Sequence, residues 1–247
     1  MMDRGSNDRG RPSTHDGGKA IGNDLADTLS TLARTLQHEH SVEDTLRAIA
    51  EAAVGTVPGA DYASLLVVER RRVVHTRAAT DDLAVKVDRA QHETGEGPCL
   101  DSVYEQRTVR LPDMAREQRW PKFTRRAAGL GVYSMLSFQL FVQAENLGAL
   151  NLFAARPDAF DDDSEHIGLL FASHAAVAMS GAQQLADMDR AVAARDVIGQ
   201  AKGILMERYK VNPDEAFLLL ARASQQSNIK LVELARKLSA TGELAGR

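Results

Sequence analysis

From Asp161 to about Tyr209 the chain has no proline and only scattered glycines, a single uninterrupted helical stretch. Helices in globular proteins average roughly 10–14 residues, so one of this length does not belong to a single compact domain. It is expected to leave one folded body and enter another. Asp161, Asp162 and Asp163 suit its start, where the helix dipole favours negative charge. Leu185, Met188 and Val192 fall at i, i+3 and i+7 and form a short apolar seam. Fewer than three clean heptads are present, so two readings stay open: pairing with a second chain, or packing on its own domain.

Upstream the texture changes twice. Residues 1 to about 22 are polar, Gly-rich and aperiodic, which predicts a disordered tail. Leu25, Leu29, Leu32 and Leu36 then make one helical stripe. A second helix starts at Ser41, with Asp44 in the third-position place of a capping box. Its expected buried face is Leu46, Ile49, Ala50 and Ala53, and Pro58-Gly59 ends it. Tyr62 to Val68 and Val73 to Ala79 read as a hairpin. Residues 81 to 92 are weakly helical. Pro98 suits the first position of a helix running to about Gln106. Thr108 to Leu111 reads as a short strand, and a basic helix ends near Gly129. Val132 to Val142 and Leu147 to Ala155 form a second hairpin joined by residues 143–146. Helices at both ends of two hairpins predict an α+β layer structure with an antiparallel sheet.

The end of the chain is helical and basic. From Arg190 to Arg247 there are ten Lys or Arg against six Asp or Glu, although the whole chain carries -4. A positive segment on an acidic protein favours an anionic partner, with a solvated helical surface as the plain alternative. Asn212 is a good N-cap, Pro213 suits the first helical position, and Glu215 completes a capping box. Leu231, Leu234, Ala235 and Leu238 define a last helix, stopped at Gly242. The residues alone reach a basic three-helix bundle, and a helix-turn-helix DNA binder fits that description too.

Chemistry-bearing residues are sparse. Cys99 is the only cysteine, which excludes an internal disulfide and a Cys-rich zinc site. Its place at a helix start predicts either a thiol of lowered pKa, a candidate redox thiol, or a small partly buried apolar residue. His38 and His40, or His166 and His174, do not converge on a metal site, and no metal or cofactor is expected. No stretch approaches the roughly 20 apolar residues of a membrane helix, and the N-terminus lacks a secretory apolar region. A cytoplasmic location is expected.

Two resemblances sharpen this reading. Residues 24–182 resemble a GAF domain, through the paired strands, Gly95-Glu96-Gly97-Pro98-Cys99-Leu100 and Leu147-Gly148-Ala149-Leu150-Asn151-Leu152. The resemblance implies a small-molecule sensor, with a ligand wall from residues 81–130. Some relatives are cysteine-based reductases of methionine sulfoxide, but that chemistry usually draws on a second, resolving cysteine.

Residues 191–247 resemble an ANTAR domain, through Ala201-Lys202-Gly203-Ile204-Leu205-Met206, Asp214-Glu215-Ala216-Phe217 with Leu220, and Leu231 with Ala235. That resemblance implies binding of paired stem-loops in nascent RNA, holding an antiterminator structure so that transcription reads through. The combined order is familiar in bacteria, especially actinobacteria. The expected RNA-binding residues are Lys202, Gly203, Arg208, Arg222, Lys230, Arg236 and Lys237. Ala201, Leu205, Phe217, Leu220, Leu231 and Leu238 are expected in the core, leaving Tyr209 as the one exposed aromatic.

The resulting expectation is an α+β sensor domain joined by a long helix, with residues 183–190 as linker, to an all-α three-helix module. It would be a non-enzymatic antitermination regulator, a homodimer taking RNA stem-loops and a small sensor ligand, away from any membrane. A DNA-binding regulator and a redox-sensing regulator are the alternatives.

Overall fold

The computed structural model describes residues 41–69, 73–105, 108–143 and 145–243. The expected polar tail, 1–23, and the helix expected around Leu25 to Leu36 lie outside the described residues. The chain divides into two compact units, 1–182 and 183–247. Residues 183–190 are helical and group with the second unit.

The first unit begins with α1 (Val42–Thr56). Ser41 caps it: its Oγ accepts from the Asp44 N–H and donates to the Asp44 carboxylate. Leu46, Ile49, Ala50 and Ala53 form the buried stripe. Strands β1 (Tyr62–Glu69) and β2 (Val73–Ala79) follow. Next come α2 (Asp82–Thr94), α3 (Pro98–Glu105), β3 (Thr108–Leu111) and α4 (Pro121–Gly129). Strands β4 (Ser134–Val142) and β5 (Glu145–Ala154) complete an antiparallel sheet of order β2-β1-β5-β4-β3. The last helix of this unit is the first part of α5 (Asp162–Tyr209).

Period-2 alternation sends the strand residues into two separate cores. Leu65, Leu136, Phe138, Leu150 and Leu152 face α1 and the start of α5, where Ile167 and Phe171 meet them. A Cβ at Gly168 would come within 2.3 Å of the Phe138 ring, so that glycine lets α5 lie close to the sheet. Leu66, Met135, Ala149 and Phe153 face the other way, against Val87, Val103 and Phe123 of α2, α3 and α4.

Two local readings differ from the sequence expectation. The second hairpin is tighter than four residues, because Val142 pairs directly with Glu145. Gln143 takes a positive φ of 48°, which a short turn demands and which a polar sequence does not announce. The weakly helical segment is a well-terminated helix: Asp81 caps α2 through the Leu83 N–H, and Gly95 ends it at φ 66°.

In the second unit α5 packs with α6 (Pro213–Ser227) and α7 (Leu231–Thr241) around Ala201, Leu205, Ala216, Leu220, Leu234, Ala235 and Leu238. The capping box is complete: the Asn212 side chain accepts from the Asp214 and Glu215 N–H groups, and the Glu215 carboxylate accepts from the Asn212 N–H. Asn228 and Gly242 end α6 and α7 in the left-handed conformation. No helix among the described residues is long and apolar enough to cross a membrane.

Candidate functional site

The second unit carries its cations outward. Arg222 on α6, Lys230 at the N-cap of α7, and Arg236 and Lys237 on α7 are exposed, and none of them pairs with a carboxylate among the described residues. Lys210, by contrast, is held by Glu207, and Arg190 by Asp187. Gly203 is exposed on α5, with open space where a Cβ would stand. No internal packing demands a glycine there, whereas a close-approaching partner backbone would.

Lys202 has company. Its ammonium stands 6.0 Å above the centre of the Phe217 ring, at the edge of cation–π range. Phe217 is 40% exposed, which corrects the expectation that it belongs to the core. The reason is helical phase. Ala216, Leu220 and Ala223 share a face of α6, and Phe217 lies about 100° round the axis from Ala216. Tyr209 is therefore not the only exposed aromatic. On α5, Lys202 and Tyr209 are seven residues apart and so share a flank. Leu231, also expected in the core, is only partly buried and packs at the edge of it.

Arg208 stands apart from the other basic residues. Its guanidinium donates to the Gly242 carbonyl at 2.6 Å. It thereby satisfies the end of α7, a structural duty that the charge alone did not reveal.

The first unit encloses a polar ladder inside its second core. Ser64, Asn151 and Ser137 stand side by side across β1, β5 and β4. Ser137 donates to Asn151 Oδ1 at 2.7 Å, and the Ser102 hydroxyl of α3 lies 2.9 Å from that of Ser137. Asn151 Nδ2 donates to Asp88 Oδ1 at 3.0 Å, and Thr76 donates to Asp88 Oδ2 at 2.9 Å. Asp88 is fully buried on α2. Burial pushes its carboxyl up to about 7, against hydrogen bonds from Ser64, Thr76 and Asn151 that favour the charged form.

The two motifs behind the sensor resemblance build this ladder. Gly97 has φ 145°, and a Cβ there would meet Gln91 Oε1 at 2.4 Å. Gln91 Oε1 accepts from the Cys99 N–H, while the buried Gln91 Nε2 has no partner. Glu96 accepts from the Lys122 N–H and fixes the start of α4. Gly148, also at φ 145°, lets β5 approach β1, because a Cβ would meet the Leu66 carbonyl at 1.8 Å.

Cys99 lies in the first turn of α3, and of its two expected readings the structure matches the buried apolar residue and not the thiol of lowered pKa. The residue is completely buried, and burial, with the Asp88 carboxyl beside it, pushes the thiol well above its ordinary range. Desolvation outweighs the helix terminus. Asp88, Gln91 and the three serines were not singled out from the sequence. Ser64 and Ser137 lie within apolar runs, while Asp88, Gln91 and Ser102 each have a polar or charged neighbour in a helix, so no alternation marks them as an inner polar row. No group of three or more His, Cys, Asp or Glu among the described residues could hold a metal.

Comparison with known proteins gives two family matches. A GAF domain matches residues 39–180, and an ANTAR domain matches residues 186–238. No curated protein matches the chain. Among solved structures, it is similar to the GAF domain of a phosphoenolpyruvate-protein phosphotransferase from Coxiella burnetii. That likeness has TM-score 0.53 at 16% identity, over 67% of this chain and 98% of that one. The corresponding GAF domain from Acinetobacter gives TM-score 0.52 at 15% identity, over 67% and 98%. The photosensory core module of a Stigmatella aurantiaca phytochrome gives TM-score 0.57 at 12% identity, over 87% of this chain and 46% of that one. At such identities the likenesses speak for the fold.

Proposed function

The chain belongs to the GAF domain family and carries an ANTAR domain after its GAF domain, and from that premise we propose that it is a non-enzymatic regulator that binds stem-loops in nascent RNA. Binding holds an antiterminator structure and lets transcription proceed in the cytoplasm. The GAF unit receives a small-molecule signal, and α5 carries its consequence to the ANTAR unit.

The observation that supports this most directly is the pairing of half-buried Lys202 with exposed Phe217 on the ANTAR unit. Loop recognition in RNA needs cations for phosphates and flat apolar faces for unstacked bases. Lys202 with Phe217 offers both at one place, with Gly203 beside them for close backbone approach. Arg222, Lys230, Arg236 and Lys237 supply further charge. The buried, high-pKa thiol of Cys99 weighs against the redox-sensing alternative.

The seam of Leu185, Met188 and Val192 is 66%, 67% and 55% exposed within one chain. In this reading it pairs two copies, and two ANTAR units meet two stem-loops.

The test is a gel shift with paired stem-loop RNA across a salt series, against a scrambled hairpin and duplex DNA. Selective binding that weakens as salt rises is expected. Lys202→Glu with Phe217→Ala should weaken it more than tenfold. Equal competition by duplex DNA would replace the RNA reading with the DNA-binding one.

A further inference from the structure

On the solvent side of α2 and α4 lies a groove of about 440 Å³. Lys86, Arg89, Ala90 and Glu93 of α2 line it, with Arg126, Gly129 and Leu130 at the end of α4. It is separate from the polar ladder. Lys86 and Arg89 point to solvent, whereas Val87 and Asp88 between them point inward. We propose that this groove binds a small anion with adjacent phosphates, of the diphosphate class. The proposal does not rest on the RNA reading.

Charge pairing is the first argument. Elsewhere in this unit, cations generally sit on carboxylates: Arg47 on Asp44, Arg77 on Glu43, Arg110 on Asp162, Arg119 on Glu117. Lys86 and Arg89 do not. Asp82 is four residues before Lys86, in reach on the same helix, and still makes no ion pair with it. Arg126, the third cation, is held at 2.6 Å by Glu93 and so is already neutralised. Two cations without an ion-pair partner among the described residues remain, three residues apart on one helix face, so that both can reach one polyanion. An arginine fork and a lysine point charge are the groups that recognise phosphates.

Helix polarity is the second argument. The C-terminal end of a helix ordinarily repels anions. Here three of the last carbonyls of α4, those of Arg126, Ala127 and Ala128, are already occupied. Leu130 N–H donates to Arg126 and Ala127, Gly131 N–H to Ala128, and Val132 N–H to Ala127. With those carbonyls satisfied, Leu130 presents an apolar wall instead. The volume falls in the range of small-molecule sites, roughly 300–1,000 Å³.

The test uses the full chain and inorganic pyrophosphate, followed by titration calorimetry at two salt concentrations. Saturable, salt-sensitive binding is expected. Lys86→Gln with Arg89→Gln should weaken it at least tenfold, and Lys86→Arg should retain it, which separates lost charge from lost fold. Glu93→Gln should tighten binding several-fold by freeing Arg126. Arg125→Gln, exposed on the same helix but outside the groove, should change nothing. Absence of binding, or an equal loss in Arg125→Gln, overturns the proposal. So does a result in which pyrophosphate gives no signal while the double variant loses RNA affinity, since the groove would then serve the nucleic-acid backbone.

Discussion

Asp88 is a carboxyl group in an apolar core, and burial and three hydrogen-bonding neighbours decide how far it can bear a charge. The donors from Ser64, Thr76 and Asn151 favour the carboxylate, yet burial prevails and the group titrates near 7. Its pKa in the unfolded chain is near 3.8, so between those values the folded protein holds a proton that the unfolded chain has released. Stability from this group is therefore complete below pH 4 and is lost as pH rises through 7. The difference is on the order of 4 kcal/mol at most. Urea unfolding between pH 5 and 8 should show stability falling with pH, and Asp88→Asn should flatten the dependence. A slope unchanged by Asp88→Asn would place the titration elsewhere. Gly148→Ala is the steric counterpart. Its new Cβ would strike the Leu66 carbonyl, so it should lower the first unit's melting temperature by many degrees, readable by circular dichroism. Neither residue was legible in its role. Glycine in a motif says that space is short but not against what, and a lone Asp in a weakly helical run reads as surface.

At the scale of elements, helix ends were the most readable features. The box of Asn212 and Glu215 stands as its spacing implied, because capping is local and needs no distant partner. Asn212→Ala should destabilise the second unit by about 1 kcal/mol. Hydrogen exchange should quicken first at the amides of Asp214 and Glu215, the groups that Asn212 accepts from. The end of α7 was only half legible. Gly242 marked the stop, but the partner of its carbonyl is Arg208, 34 residues earlier, and no local pattern joins them. The same limit applies to Phe217. A helix stripe read from sequence is wide enough to take in its edge, and only packing decides which edge residue stays wet. The pairings of β1 with β2 and of β4 with β5 are the two expected hairpins, whereas the five-stranded order β2-β1-β5-β4-β3 and the polar row on its inner face depend on pairing between strands distant in sequence.

For the whole molecule, the decisive quantity is how many copies meet one RNA. A single stem-loop can engage one ANTAR unit, and two joined units gain effective concentration at the second loop. If the α5 seam joins two chains, Leu185→Glu with Met188→Glu places four carboxylates against one another across it. Sedimentation equilibrium should then change from dimer to monomer, with the circular dichroism spectrum unaltered because these side chains already face solvent within one chain. Affinity for RNA with two stem-loops should fall by about a hundredfold, the lower end of what bivalence contributes. Affinity for RNA with one stem-loop should stay the same, since neither residue belongs to the Lys202 and Phe217 surface. A monomeric wild type would remove the dimer from the reading and leave RNA binding intact. A parallel loss on the one-loop RNA would mean instead that the seam itself touches nucleic acid, and that the face of α5 has been assigned to the wrong partner.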